Sequence, residues 1–132
     1  MSRIGTVVMV ATISGIAGPV AAHHSYAVFD QTTTRTISGS VARLQWMNPH
    51  TVIWLYVPST ENPGKHDLWK FENDSPNVLA RAGWGAASLP AGTKVTVLYF
   101  PLRDGSRGGH WVKGAVENGP ELISPSSVRW LK

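Results

Sequence analysis

The sequence has no cysteine. That removes disulfides as a source of stability and thiolates as nucleophiles or metal ligands, so stability must come from an apolar core and site chemistry from nitrogen and oxygen. It also has no run of like charge: 12 Lys and Arg stand scattered among 8 Asp and Glu. A mild, dispersed balance without a basic-aromatic stripe argues against nucleic acid as a partner. No internal repeat is visible, and no Gly-x-Ser-x-Gly elbow. His24, Ser25 and Asp30 supply the residue types of a hydrolase triad, but without the strand-turn-helix that presents such a serine. Beyond residue 22 there is no long apolar run, so the remainder is expected to make no stable membrane insertion.

What the chain does have begins at its start. A short basic opening, Met1-Ser2-Arg3, leads into an uncharged apolar stretch from Ile4 to Val20, and Val20-Ala21-Ala22 supplies small residues. This is the order of a secretory signal, with cleavage expected after Ala22. Gly5, Thr12, Ser14, Gly15 and Gly18 make the stretch too weakly hydrophobic for a lasting anchor. The expected division is a signal peptide over 1–22, an N-terminal arm over 23–34, and a single domain over 35–132, in the periplasm or secreted. The mature part would carry 11 basic against 8 acidic residues, a net charge of +3, and all six tryptophans.

The arm's Tyr26, Val28 and Phe29 are expected to lie against the domain. Residues 35–46 read as a long strand whose apolar parity changes midway: Ile37 and Val41 share one face, Leu44 and Trp46 the other. An extra residue near Gly39 to Arg43 flips the alternation, so a bulge is expected there. Residues 51–57 are apolar on both parities, which suggests burial on both sides. A third strand follows at 67–72. Ser75-Pro76 opens a helix of about two turns, with Ser75 as cap, Val78, Leu79 and Ala82 facing inward, and Gly83 ending it. Strands at 93–100, with Val95, Val97 and Tyr99 inward, then at 110–116 and briefly at 121–124, complete the pattern. Three strands, a short helix and two more strands is the order of the OB-fold, a five-stranded Greek-key barrel. The predicted class is therefore mostly β, a small OB-like barrel with one helix between its third and fourth strands; an open sandwich of the same strands is the alternative.

Cleavage after Ala22 would free an amine on His23 beside its own imidazole. Both offer lone pairs around neutral pH, and His24 adds a second imidazole. Nitrogen-rich sets of this kind favour Cu(II), with Ni(II) and Zn(II) behind it. The bland alternative is a pair of histidines that merely follow a cleavage site. Trp46-Met47-Asn48-Pro49-His50 lies where an OB-fold builds its ligand face; there Asn48-Pro49 sets a turn, His50 is a candidate ligand, and Trp46 and Asn48 could wall the site. Met47 is a possible soft donor, more simply packing. His66 and His110 read as exposed and of less interest. Glu72 and Asp74 have ordinary structural uses. The loop 103–109 could cradle an anion, but needs no explanation beyond joining two strands.

Several of these features occur together in a known group. Ala22-His23-His24-Ser25, Phe29-Asp30, Gly39-Ser40-Val41, Trp46-Met47-Asn48-Pro49-His50, Gly83-Trp84 and the stretch from Pro101 to Gly105 resemble a family of small exported bacterial proteins of unknown function. The resemblance covers most of the mature chain and implies export and an undivided domain. It implies no activity, so the functional expectation rests on the residues. That expectation is a periplasmic metal-binding module, copper foremost, using His23, His24 and His50, for storage, delivery or sensing and not turnover. The alternative is a non-metal module holding a peptide, sugar or partner protein on the barrel face near Trp46, His50 and Trp111. An oxidative copper enzyme built on the N-terminal histidine is disfavoured, because so short a domain offers little substrate platform.

Overall fold

The parity switch in the first strand has a structural cause. A computed structural model describes residues 26–131, with strands β1 (Arg35–Gln45), β2 (Val52–Pro58), β3 (His66–Glu72), β4 (Lys94–Pro101), β5 (Gly108–Val116) and β6 (Glu121–Ile123). The helix α1 (Pro76–Arg81) follows β3, and a 3-10 helix (Ser127–Trp130) ends the chain. The first half of β1 pairs with β4, from Arg35 opposite Tyr99 to Ser40 opposite Lys94. The second half pairs with β2, and the register shifts between Val41 and Arg43. Ala42 is the extra residue, so the expected bulge is present, and it lets one strand serve two partners.

Strand neighbours run β3-β2-β1-β4-β5-β6, and β3 also pairs with β5. That last pairing is parallel and only three residues long: Lys70 with Gly108, Phe71 with Gly109, Glu72 with His110. It closes β1-β2-β3-β5-β4 into a five-stranded mixed barrel with the strand order and helix position of the OB-fold. The seam requires glycine. A Cβ on Gly108 would collide with the Lys70 carbonyl oxygen, and one on Gly109 with that of Phe100.

Inside the barrel, Ile53, Leu55, Phe71, Val97 and Trp111 are fully buried, and Leu79 of α1 joins them. Val95, Val97 and Tyr99 face inward as their alternation requires. Trp84 and Trp111 meet edge to face with centroids 5.5 Å apart. Their indole N–H groups donate to the Ile123 and Leu122 carbonyls, each at 2.9 Å. Two buried aromatic rings thus satisfy their polar atoms on the backbone of β6, which fixes that short strand.

A second cluster of Phe29, Phe100 and Val112 lies apart from this core, with Val128 of the 3-10 helix packed on it. The arm runs beside the end of β4: Asp30 N donates to Pro101 O at 2.8 Å, and Arg103 N to Val28 O at 2.9 Å. Phe29 is buried as expected, but Val28 is half-exposed, because the bridge it flanks turns only Phe29 toward the barrel.

Three further expectations need correction. β2 is buried on one face only: Tyr56 is 49% exposed, since nothing packs over the outer side of the barrel there. Ser75 sits at the helix N-cap without a side-chain bond, and its carbonyl accepts Val78 N and Leu79 N instead. Ala82 is exposed, leaving Leu79 as the buried residue of the six-residue helix. No helix among the described residues is long and apolar enough to cross a membrane.

Candidate functional site

His110 was expected at the surface, and the structure buries it to 2% exposure. The reason is tertiary. Trp111 takes the inward position on β5, so His110 and Val112 face outward, and the arm and the 3-10 helix cover that outer side. Tyr26 lies on the His110 ring with centroids 5.1 Å apart, and Phe29 meets it edge-on at 5.3 Å. Val112, apolar on the same parity, was the one sequence signal that this face is covered.

The ring is held by a buried chain of polar groups. His110 Nδ1 is 2.7 Å from Ser127 Oγ and 3.1 Å from the Trp111 carbonyl oxygen. Ser127 Oγ donates to that same carbonyl at 2.8 Å. Ser127 also touches Ser124 Oγ at 3.0 Å, and Ser124 donates to Asp74 Oδ2 at 2.9 Å. Asp74 Oδ2 further accepts the Ser126 amide at 3.0 Å. A carbonyl oxygen only accepts, so an unprotonated Nδ1 facing it would set lone pair against lone pair. Nδ1 therefore carries the proton, and Nε2 carries the free lone pair. Nε2 is buried and has no hydrogen-bond partner among the described residues. Two other buried polar atoms without partners, Thr51 Oγ1 and Asn73 Nδ2, belong to the adjoining ends of β2 and β3, whose backbones bond to each other.

Burial holds the His110 imidazole below the ordinary histidine range. The Trp111 carbonyl and the charges of Asp74 and Glu72 oppose that shift, while His50 adds to it. Burial likewise raises the Tyr26 hydroxyl, and the Asp74 charge pushes the same way, against a hydrogen bond with Ser126. The charges of Asp74 and Glu72 thus act on both Tyr26 and His110. The sign for stability follows from linkage. A histidine whose folded value lies below its unfolded value of about 6.5 is protonated first in the unfolded chain, so stability is full above that pH and falls below it. The metal-free protein is expected to lose stability from about pH 7.5 to 5.5, by at most about 1.4 kcal/mol per pH unit for this proton. Urea titrations across that range should give a flatter profile for His110→Gln, and an identical slope would rule His110 out as the source.

The turn before β2 places its residues differently. His50 is half-buried, immediately ahead of the fully buried Thr51. Trp46 packs partly buried against the main core, and Asn48 is exposed. Met47 is exposed, and its sulfur accepts a hydrogen bond from Gln45 Nε2 at 3.6 Å. Trp111 cannot wall a surface face, as expected of it, because β5 turns its indole into the core. His66 is exposed, as read. A groove of about 560 Å³ lies elsewhere, where Ser38, Ser40, Tyr56, His66 and Lys94 meet, and none of Trp46, Asn48 or His50 lines it. In the 103–109 loop, Asp104 Oδ1 accepts both the amide and the hydroxyl of Ser106, which sets a carboxylate where an anion would bind. His23 and His24 lie outside the described residues. Among the described residues, no group of three His, Cys, Asp or Glu is arranged to hold a metal ion by itself.

A family model described as a family of unknown function, DUF6152, matches residues 10–112. No curated protein and no solved structure matches the chain.

Proposed function

This chain belongs to the family of unknown function DUF6152, and from that premise we propose that it is a small exported metal-binding module with copper as its preferred ion. On this reading residues 1–22 are removed on export. His23 then chelates through its freed amine and its ring, His24 adds a second imidazole, and His50 is the ligand from the barrel. Amine and imidazole nitrogens suit Cu(II) above other common divalent ions.

One observation carries the reading: the arm enters the domain at a buried histidine. The Tyr26 ring rests on that of His110, with centroids 5.1 Å apart. Residues 24 and 23 are two and three positions from Tyr26. Storage, delivery or sensing of the ion fits so small a module better than turnover.

The test is a Cu(II) titration of the chain beginning at His23, repeated with one residue placed ahead of it. Loss of a direct ligand should exceed the roughly 10- to 100-fold that outer-shell partners cost, so the extended chain should bind more than ~100-fold more weakly. Equal affinity removes the amine. A mass spectrum of the exported protein that starts anywhere but His23 removes it as well.

A further inference from the structure

The geometry points to His110 Nε2 as a metal ligand that the barrel itself contributes. The choice of metal as ligand rests on the reading above, but the role of His110 needs no free amine.

Three observations converge on this atom. Among the described residues the Nε2 lone pair has no partner, although His110 is 2% exposed. An unmade bond on a buried polar atom is costly, so such atoms in folded proteins call for a specific explanation. The opposite nitrogen is fixed by the Trp111 carbonyl and by Ser127 Oγ, at 3.1 and 2.7 Å. Metal-binding histidines are held in this manner, with the far N–H donated to a backbone carbonyl, which sets the tautomer and aims the free nitrogen. Burial keeps the ring neutral, the form that coordinates, and the Asp74–Ser124–Ser127 chain behind it keeps the ring from turning.

The cover over the ring has one firm part and one loose part. Phe29 is 3% exposed and anchored by the bridge to Leu102. Tyr26 is only half-buried and is the first described residue of the arm. An ion reaches Nε2 when the Tyr26 ring slides aside, and Phe29 stays in place. A buried imidazole nitrogen of this kind is a donor for borderline divalent ions such as Cu(II) and Zn(II).

The experiment uses the full processed chain, labelled with 15N-histidine and loaded with Zn(II), which is diamagnetic. His110 Nε2 should show the large change in nitrogen shift that direct coordination causes, and an Nε2 signal unmoved at saturating Zn(II) overturns the inference. This measurement needs no variant and so is independent of folding. In parallel, Cu(II) bound to folded His110→Gln should show one fewer coupled imidazole by pulsed electron paramagnetic resonance, and an unchanged count overturns the inference. Ser127→Ala, which removes only the positioning hydroxyl, should weaken Cu(II) binding by roughly 10- to 100-fold with the imidazole count unchanged. The chain extended ahead of His23 separates the two proposals. If it keeps the His110 coupling but loses affinity, both stand. If it binds as tightly as the processed chain and His110→Gln does not, the amine falls and His110 remains. The reverse pattern removes His110 and keeps the amine.

Discussion

Trp111→Ala is expected to lower the free energy of unfolding by about 4 kcal/mol, the range for truncating a large aromatic ring in a closed core. Trp111 is fully buried, meets Phe71 and Trp84 edge to face, and donates to the Leu122 carbonyl. Truncation empties the centre of the barrel and leaves that carbonyl unpaired, so β6 should loosen with it. The indole also lies flat over Gly114: a Cβ there would strike its six-membered ring. Gly114→Ala alone should therefore cost about 2 kcal/mol, as overpacking does. In the Trp111→Ala background the same change should cost little, because the obstructing ring is gone. Urea denaturation of the four proteins gives the coupling directly. Additive losses would show that the ring and the glycine do not constrain each other.

Asp74→Ala should cost about 3 kcal/mol. The carboxylate is 4% exposed and accepts both the Ser124 hydroxyl and the Ser126 amide. Alanine strands two donors, one of them on a fully buried serine, and hydrogen bonds to a charged acceptor are the stronger kind. The damage should spread in a set direction, because Ser124 leads to Ser127 and Ser127 to His110. Amide exchange should speed up first across the 3-10 helix. Asp74→Asn keeps the shape and an accepting oxygen, so it should lose only about 1 kcal/mol. An Asp74→Ala protein as stable as the parent would mean that this network is decorative.

The barrel was legible in the sequence wherever periodicity had one meaning. The parity flip between Val41 and Leu44 required an extra residue, and Ala42 is that residue. Val95, Val97 and Tyr99 alternate against polar neighbours, so their inward face was unambiguous. β5 is different, since it is buried along both faces for most of its length. Alternation there does not say which face is the core, and Trp111 and His110 were assigned to the wrong environments for that reason. Nothing local to His110 announces the arm and the 3-10 helix that cover it. The Asn48-Pro49 turn singles out His50, which the structure leaves half-buried ahead of β2. Tyr26 was expected to touch the domain, not to roof a histidine. Asp74 was read as structural, and its hydrogen bonds to Ser124 and Ser126 bear that out.

The three-pair seam between β3 and β5 has a thermodynamic corollary. His110 is its last rung, opposite Glu72, while His50 stands at the mouth of β2 on the other flank. Only the closed barrel holds His110 in its buried setting. A chain with the seam open lacks that setting, and closing it means meeting the loop entropy of everything between. Any ion that prefers the closed form acts as a clasp: at 100 times its dissociation constant it would deepen the native well by ~2.7 kcal/mol. Occupancy and foldedness would then rise and fall together.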